Sequence, residues 1–313
     1  MSYLVPQLIS TVSDDLMLNH LQNPPAPPSR VVILGSAGFV ASAISRRLET
    51  SGILVLALPH TVLDLNYPDS SKLLADLLLP DDSLLFVAAK APVKNETMLV
   101  DNLQMGANVC RALRQAPVKH VVYISSDAVY ADSALPLTEK SCAQPASLHG
   151  AMHLAREIML ANCHGGPLCI LRPTLIYGVN DPHNGYGPNR FCRLAALGED
   201  IVLFGNGEER RDHVWVENVA EIAVWTLEHQ SSGTLNLATG EAWSFREVAE
   251  QVARLALKPV VIRSSVRVGA MPHNGLRIFD AGATYLAMPD FQYTSLANFL
   301  PDLLLGIRSQ NNP

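Results

Sequence analysis

Charged residues are scarce in this 313-residue sequence, because Asp, Glu, Lys and Arg together make up only 17% of it. An average soluble domain has roughly 25%, so we expect much of this chain to be buried. Acids outnumber bases, and the net charge of −6 argues against a nucleic-acid-binding protein, which presents a basic face. We therefore predict a globular protein with a large core and no nucleic-acid partner.

The sequence also lacks long apolar runs and paired cysteines. No apolar stretch reaches the roughly 18 residues that a membrane-spanning helix needs. Asp14 and Asp15 stand near the N-terminus, where a signal peptide carries basic residues. The five cysteines are odd in number and contain no C-x-x-C pair, which is typical of reduced thiols. We expect a cytoplasmic protein without a membrane partner.

Proline is concentrated ahead of the main body of the sequence. Four prolines between positions 24 and 28 follow a short amphipathic stretch that contains Leu16, Leu18 and Leu21. Because such a cluster favours extended polyproline conformation and breaks helices, we predict that residues 1–29 form an arm with a stiff linker. The sequence leaves open whether this arm packs on the body of the protein or on a partner subunit.

From residue 30 onward, short apolar strands alternate with helical segments. Strands are predicted at Val31–Leu34, Ile53–Leu58, Leu84–Ala88, Val121–Ser125 and Leu168–Leu171. Helices are predicted up to Thr50 and at Ser70–Leu79, Val100–Gln115 and His149–Asn162. Buried strands separated by helices imply an α/β fold with a doubly wound parallel sheet. We assign residues 30–178 to this Rossmann domain.

After Tyr177 the sequence becomes richer in loop-forming residues. Residues 180–189 are rich in Gly, Pro and Asn, and a tight turn is expected at 205–207. Further elements are predicted at Arg190–Leu197, Ile201–Phe204, Asn218–Glu228 and Ser244–Leu257. We predict that residues 179–313 form a smaller C-terminal substrate-binding lobe, partly interleaved with the Rossmann sheet, with ligands bound in the cleft between the two.

A glycine turn, G-S-A-G-F-V-A at 35–41, lies between the first strand and the first helix. Gly35 permits a tight turn, Gly38 lets the backbone approach a pyrophosphate, and Ala41 allows close helix–strand packing. The helix N-terminus then offers free N–H groups and the positive end of its dipole. We predict that this turn binds NAD or NADP. The contacts are expected from Gly35, Ser36, Ala37, Gly38, Phe39 and Val40.

The end of the second strand does not decide between NAD and NADP. It lacks the acid that usually meets the ribose 2′-hydroxyl, and His60 is an ambiguous substitute. No arginine nearby favours NADP either. Asp64 and Leu65 follow soon after and are predicted to reach the adenine.

Further motifs occur in the order found in one known family. Residues 86–90 (F-V-A-A-K) look like a cofactor-lining strand end, and residues 122–130 read V-Y-I-S-S-D-A-V-Y. L-R-P-T-L-I-Y-G follows at 171–178, and G-N-G-E-E-R-R-D-H-V at 205–214. From about residue 30 to about residue 304, the sequence resembles the extended short-chain dehydrogenase/reductases, in their nucleotide-sugar epimerase/dehydratase/reductase branch.

The resemblance implies a nucleotide-linked sugar as substrate and a role for each matching residue. Ser126 falls where a family hydroxyl bonds the reacting sugar oxygen. Arg211 falls where a guanidinium fork grips the substrate diphosphate. Asp127 is a substrate hydroxyl contact or a structural residue, and Ala128 stands where dehydratases carry glutamate, which disfavours dehydration. Further cofactor contacts are implied for Ala88, Ala89, Lys90, Asn102, Ser125, His153 and Pro173. His213 is expected to be a packing residue, and Arg277 a surface residue.

The sequence departs from the family at its proton-handling pair. The family pattern Y-x-x-x-K aligns with residues 145–157, P-A-S-L-H-G-A-M-H-L-A-R-E, so that His149 takes the tyrosine position and His153 the lysine position. In the family, the tyrosine exchanges a proton with the substrate, while the lysine lowers the tyrosine pKa and holds the nicotinamide ribose. Imidazole titrates near about 6.5 unaided, so His149 needs no such helper. His153, one turn on, still faces the ribose.

Three interpretations of this pair stay open. His149 performs acid/base chemistry together with Ser126 and His153, or the site is a relic that binds ligands without turnover. In the third, the two histidines share a metal ion, which requires another ligand such as His164 or His183. Because Ser126 and Arg211 persist, we favour an active NAD(P)-dependent oxidoreductase or epimerase with altered chemistry.

The resemblance also implies a homodimer. In related proteins, the helices that correspond to 100–115 and 149–162 form a four-helix dimer interface. Both segments carry apolar residues, although core packing explains these equally well. The residues are Leu103, Val109, Leu113, Leu154, Ile158 and Met159.

Overall fold

A computed structural model describes residues 17–311 as an α/β protein. Its strands are β1 (Leu18–Asn19), β2 (Val31–Leu34), β3 (Val55–Leu58), β4 (Ser83–Phe86), β5 (His120–Ile124), β6 (Leu168–Pro173), β7 (Leu175–Tyr177), β8 (Ile201–Phe204), β9 (Arg210–Trp215), β10 (Ser232–Leu237), β11 (Ala242–Ser244), β12 (Ile262–Ser265) and β13 (Leu276–Arg277). Its α-helices are α1 (Phe39–Thr50), α2 (Ser70–Leu77), α3 (Glu96–Gln115), α4 (Leu148–Cys163), α5 (Pro188–Leu197), α6 (Val216–Glu228), α7 (Phe245–Leu255), α8 (Gly282–Ala287) and α9 (Leu296–Asn311).

A seven-stranded sheet forms the centre of the fold, in the order β1-β10-β6-β5-β4-β2-β3. Every pairing in it is parallel except that between β1 and β10. Strands β2, β4 and β5 are buried along their whole length, which their continuous apolar runs predict for a sheet covered on both faces. The predicted α/β fold with a doubly wound parallel sheet is confirmed.

Two apolar cores separate the central sheet from its helices. On one face, α1 and α6 pack through residues such as Ile44 and Ile222. On the other face, α2, α3 and α4 pack through residues such as Leu74, Val109 and Leu160. The helices that carry the glycine turn and the histidine pair therefore lie on opposite sides of the sheet.

The predicted elements of the Rossmann segment all form, with bounds that shift by a few residues. The largest change is at α3, which begins at Glu96 instead of Val100 because the Asn95 side chain accepts a hydrogen bond from the backbone N–H of Met98 and caps the helix. Strand β10 was not predicted. Its sequence, S-G-T-L-N-L, has no apolar run, yet it pairs with β6 in the central sheet.

The described part of the N-terminal arm packs on the body of the protein. Leu18 in β1 lies opposite Gly233 of β10 and is buried in the core. The His20 ring contacts that of Trp225, with centroids 4.3 Å apart, and its Nδ1 lies 2.9 Å from Ser231 Oγ. Leu21 is exposed. Residues 1–16, including Leu16 of the amphipathic stretch, lie outside the described residues.

Residues beyond the central sheet build a third apolar core. Strands β7, β9, β11 and β13 form one small sheet, and β8 pairs with β12. Helices α5, α7 and α9 pack around them through residues such as Phe191, Val248 and Leu300. Across residues 17–311, none of the helices is both long enough and apolar enough to cross a membrane. The division of the chain at residue 178 stays a prediction. Strand β10 follows this boundary in the sequence but belongs to the central sheet.

Replacing Leu18 by Ala is expected to lower the free energy of unfolding by about 2–5 kcal/mol, because it removes a fully buried side chain from the core. Replacing the exposed Leu21 by Ala is the matched control, with an expected change within about 0.5 kcal/mol. Urea unfolding followed by circular dichroism measures both. Equal effects of the two substitutions would show that β1 does not belong to the cooperative core.

Candidate active site

The predicted site residues come from loops at one edge of the central sheet. Gly35 follows β2, Ala88 lies just after β4, Ser126 follows β5, and Pro173 ends β6. These strands are parallel neighbours. Because the carboxyl ends of parallel strands meet at one edge, they form the crevice where such folds bind ligands.

The glycine turn rests against the loop that follows β4. Gly35 has a φ of +82°, and a Cβ there would lie 2.7 Å from the Cα of Ala88, so no larger residue fits. Gly38 precedes α1, and no side chain caps that helix. The first N–H groups of the helix, including those of Phe39 and Val40, are therefore open to an anion, which is what a dinucleotide pyrophosphate requires.

The loop after β3 carries the predicted adenine contacts. His60 Nε2 lies 3.4 Å from Asp64 Oδ2 in an exposed pair. Leu65 is buried, and its carbonyl accepts a hydrogen bond of 2.7 Å from Asn108. Next to it, Asn66 has both side-chain polar atoms buried without a hydrogen-bond partner among the described residues. Buried amides normally have a hydrogen-bond partner, either a protein group, a water or a ligand, and this amide was not predicted.

Asn102 fixes the loop that contains Ala88, Ala89 and Lys90. Its Oδ1 accepts from the Lys90 backbone N–H at 3.0 Å, and its Nδ2 donates to the carbonyls of Lys90 and Met98. The Lys90 ammonium pairs with Asp101 at 2.7 Å. The Asn102 amide, which we predicted on the cofactor, is thus used within the protein and positions the loop.

Helix α4 begins in close contact with the turn that carries Ser126. The Ser126 hydroxyl accepts a hydrogen bond from the Ala128 N–H at 3.2 Å, and the Ser147 hydroxyl caps α4 by accepting from Gly150 at 3.1 Å. A Cβ on Gly150 would overlap the carbonyl oxygen of Ala128, so only glycine permits this approach. It brings His149 to the turn that holds Ser126.

The rings of His149 and His153 meet edge to face, with centroids 4.7 Å apart and planes at 88°. His153 is buried, and its Nδ1 lies 2.8 Å from the Tyr123 hydroxyl. The Nδ1 of His149 is also buried and has no hydrogen-bond partner among residues 17–311. Because Nδ1 is sealed from the crevice, any exchange of a proton with a ligand must use the Nε2 of His149.

Burial lowers the pKa of both imidazoles. For His149, the Asp127 carboxylate opposes this effect and the Arg156 charge adds to it. For His153, burial acts together with His149 and Arg156, and the pKa falls well below its usual value. Both rings are therefore neutral at neutral pH and have the form that accepts a proton.

Ser125 lies under the site, and its hydroxyl is used inside the fold. It donates a hydrogen bond of 2.5 Å to Glu157, whose carboxylate also accepts from Arg172 Nε at 2.9 Å and Nη2 at 2.5 Å. Pro173, the next residue, pairs with Leu237 of β10. This network ties α4 to β5 and β6 and fixes the floor of the crevice.

Arg277 is not a surface residue, contrary to our expectation, because it is only 2% exposed. Its Nε donates to Asp127 Oδ2 at 2.8 Å, and its Nη1 lies 3.3 Å from Asp132, which also contacts His273. Arg277 ends β13, so a C-terminal segment reaches the turn next to Ser126. Asp127 is its ion-pair partner there.

Arg211 and His213 lie two residues apart on β9. The Arg211 Nη1 lies 3.2 Å from Glu209 Oε1, and the arginine side chain is 12% exposed. His213 contacts Phe245, with ring centroids 5.9 Å apart, and burial lowers its pKa to about 3. His213 is thus a neutral core residue. Both of its ring nitrogens lack hydrogen-bond partners in the described part of the chain.

A metal ion would find no third protein ligand at the histidine pair within residues 17–311. No group of three His, Cys, Asp or Glu side chains in that range is arranged to hold one. His164 lies at the opposite end of α4, with its Nε2 3.2 Å from the carbonyl of Pro167.

A cavity of about 490 Å³ borders the glycine turn on α1. Ala37 and Phe39 line it, together with Trp215 and Phe299. Ser126, His149 and Arg211 do not, so this cavity is separate from the crevice that holds the proton-handling residues. Ser36 contributes its carbonyl to a 3.3 Å hydrogen bond from Ser42 of α1.

A family model described as the NAD dependent epimerase/dehydratase family matches residues 31–238. The chain belongs to this family. Two GDP-L-fucose synthases are among its curated relatives. The one from Arabidopsis thaliana is 27% identical over 248 residues, covering 72% of this chain and 77% of that protein. The one from Escherichia coli (strain K12) is 26% identical over 268 residues, covering 72% and 81%.

Solved structures of similar fold include a UDP-glucose 4-epimerase from Thermus thermophilus in complex with NAD, with a TM-score of 0.77, 24% identity and coverage of 89% of this chain and 99% of that one. RMD from Pseudomonas aeruginosa, complexed with NADPH, has a TM-score of 0.78, 22% identity and coverage of 90% and 99%. The predicted family is confirmed, and so is its nicotinamide dinucleotide cofactor, which the family description names.

Three residues of this family member were not predicted and lie at the site. Arg156 of α4 is fully buried beneath the histidine pair, and Tyr123 of β5 bonds His153. Asn66 carries the unpartnered amide beside Asp64. Arg156 and Tyr123 stand inside predicted elements whose apolar neighbours predict simple core packing. The sequence carries no signal for either role, since Arg156 stands between Ala155 and Glu157.

Replacing Arg277 by Met is expected to lower the free energy of unfolding by about 3–5 kcal/mol, because it leaves the buried Asp127 carboxylate without its partner. Replacing Arg47, whose ion pair with Glu221 is exposed, by Met is the matched control and should cost about 0–1 kcal/mol. Urea unfolding at pH 7 measures both. A small effect at Arg277 would mean that the pair does not join the C-terminal segment to the Ser126 turn.

Proposed function

We propose that this chain is an NAD(P)-dependent oxidoreductase or epimerase that acts on a nucleotide-linked sugar, with His149 exchanging the proton. The observation that carries the proposal is the placement of the neutral His149 ring. It lies beside neutral His153, on a helix that is pressed against the turn with Ser126. A neutral base in this position can accept a proton from a substrate that is bound in the crevice.

The glycine turn fits a dinucleotide. Gly35 leaves no room for a Cβ, and the uncapped start of α1 directs backbone N–H groups outward, as pyrophosphate binding requires. The loop of Ala88 and Ala89, held by Asn102, forms the adjoining wall. When bound, the nicotinamide ring gives or accepts a hydride at its C4. These residues fit NAD and NADP equally well.

The sugar-nucleotide class of substrate is supported by the relatives, since the two synthases are named for GDP-L-fucose and the epimerase for UDP-glucose. Within the chain, the Ser126 hydroxyl is positioned to orient a sugar oxygen. We assign the substrate diphosphate to Arg211, whose guanidinium lies 3.2 Å from Glu209. Neither residue determines which sugar or which nucleotide base is bound.

His149 acts as the base when the substrate hydroxyl is oxidised. Its pKa is lowered by burial, so the neutral ring is available at pH 7 without a neighbouring lysine. In the reverse direction the protonated ring returns the proton to the carbonyl oxygen. The rate of oxidation should therefore rise as the pH rises through the lowered pKa and then level off, whereas the rate of reduction should fall over the same interval.

We further place this enzyme in the cytoplasm as a homodimer. All five cysteines are free, which suits a reducing compartment. On the two helices of the implied interface, Val109 and Leu113 are buried in the core and are excluded from any interface. Val100 and Ile158 are 63% and 55% exposed and present apolar surface on α3 and α4.

Replacing His149 by Ala is expected to lower kcat by about 10²–10⁴-fold, because the proton acceptor is lost, while NAD(P) affinity changes little. His164→Gln, at the other end of the same helix, is the control and should keep full activity. Turnover of a panel of GDP- and UDP-sugars with NAD and NADP between pH 5 and 9, followed by nicotinamide absorbance and product chromatography, measures the effect.

Absence of turnover by the natural protein across that panel, with coenzyme binding intact, would support a ligand-binding relic instead. The double substitution His149→Tyr with His153→Lys separates the cases further. In an active enzyme it should move the pH dependence upward, because a phenol titrates near about 10. If it creates activity where the natural protein has none, the natural site is a relic.

Replacing Ile158 by Glu is expected to convert dimer to monomer, because it places a charge in the apolar patch of α4. Leu257→Glu, at a position that is 83% exposed outside both helices, is the control. Sedimentation velocity at micromolar concentration measures the oligomeric state. A monomeric natural protein, or an Ile158→Glu variant that stays dimeric, contradicts the proposed interface.

A further inference from the structure

Arg156 is a fully buried cation without an acidic partner among residues 17–311. Its Nη1 donates to the Ala88 carbonyl at 2.8 Å, and its Nε and Nη2 donate to the Asn102 carbonyl at 2.9 and 2.7 Å. Its guanidinium carbon lies 4.8 Å from the centre of the Phe86 ring. The adjacent carboxylate, Glu157, is already bonded by Arg172 and Ser125. Carbonyl dipoles compensate such a charge only in part, and an unpaired buried ion costs several kcal/mol.

The neighbours of Arg156 towards the site, Tyr123 and His153, explain why a cation is placed there. The Tyr123 hydroxyl, fully buried, lies 2.8 Å from His153 Nδ1. Burial raises the pKa of Tyr123, and the Arg156 charge opposes that rise. Among residues 17–311, His153 Nδ1 is the acceptor that the Tyr123 hydroxyl proton reaches, and a buried hydroxyl proton without an acceptor would be costly. The neutral ring then carries its proton on Nε2.

His153 cannot carry the positive charge itself. Its ring is buried, it meets the ring of His149, and Arg156 stands three residues along the same helix. Among the described residues, the Asp127 carboxylate favours protonation of His149 and is itself bonded to Arg277. A proton entering this cluster is therefore directed to His149.

We propose that Arg156 is a positioning residue that supplies the fixed positive charge of the site, while neutral His153 supplies a hydrogen-bond donor through Nε2. Two roles that the family resemblance assigns to one lysine are thereby divided between two side chains on α4. The inference rests on the proposed acid/base role of His149. Because guanidinium stays charged at every working pH, the charge is constant while His149 alone gains and loses a proton.

The test compares Arg156→Gln, which is neutral but keeps an amide donor, with Arg156→Lys, which keeps the charge. Both proteins and the natural one are prepared with ¹⁵N-labelled histidine, and ring ¹⁵N shifts are followed against pH. In the natural protein we expect His153 to stay neutral at pH 6 with its proton on Nε2. In Arg156→Gln, His149 and His153 should titrate at higher pH, and the pH midpoint of kcat should move upward with His149, with little change in the KM for coenzyme. Arg156→Lys should stay close to the natural protein.

His164 provides the internal reference, because it lies at the far end of α4 and its titration should not move in any variant. Folded Arg156→Gln with unmoved His149 and His153 titrations overturns the proposal. So does a natural protein in which His153 carries its proton on Nδ1 or titrates at the usual value for histidine.

If Arg156→Gln does not fold, Tyr123→Phe still tests the expected tautomer of His153. Loss of the hydroxyl should release His153 Nδ1 and give a mixture of the two neutral tautomers, and an unchanged Nε2–H tautomer contradicts the proposal. The ring shifts are independent of turnover. An inactive natural protein with the expected shifts therefore overturns the proposed reaction alone, whereas an active one with unmoved shifts overturns only the role of Arg156.

Discussion

Burial of helix α4 determines the charge states of the site residues that it carries. The helix carries two imidazoles and a guanidinium into the interior, and a low-dielectric interior does not hold three adjacent positive charges. The guanidinium keeps its charge because its intrinsic pKa is far above any working pH. The imidazoles of His149 and His153 are therefore held neutral, and the one reached by the Asp127 carboxylate is the one that is able to gain a proton.

The scaffold imposes this arrangement through contacts that allow little movement. Gly150 lets the start of α4 lie directly on the Ala128 carbonyl, and Glu157 ties the middle of the helix to Arg172 of β6. Arg156 bridges to the carbonyl of Ala88, in the loop next to the glycine turn, and to the carbonyl of Asn102 in α3. The residues that would hold the dinucleotide and those that would move the proton are thus linked through one helix, so that a shift of α4 would disturb both.

Local patterns predicted the parts of the fold that local physics decides. The apolar run Val31–Leu34, the glycine turn and the amphipathic helices carry their structure in neighbouring residues, and they form as expected. Strand β10 does not, because S-G-T-L-N-L becomes a strand only through its partner β6, more than 60 residues earlier. The burial of Arg277 depends in the same way on Asp127, 150 residues away, and no local signal reports it. The histidine pair was implied by the resemblance to the family's Y-x-x-x-K pattern, whereas its electrostatic setting was not, since the residues around Tyr123 and Arg156 indicate ordinary core packing.

The ion pair between Arg277 and Asp127 gives the C-terminal segment a part in the site. Arg277 ends β13, which pairs with β9, the strand of Arg211. Asp127 stands next to Ser126 and acts on the charge state of His149. Packing of the small β-sheet against the Rossmann segment therefore fixes, in one step, the strand expected to hold the substrate diphosphate and the carboxylate that directs the proton. Because the pair is buried and each partner is costly to leave alone, an open arrangement of the two segments would expose both charges to water and would also remove the carboxylate that favours protonation of His149. Docking of the C-terminal segment and assembly of the proton-handling cluster are, on this geometry, the same event.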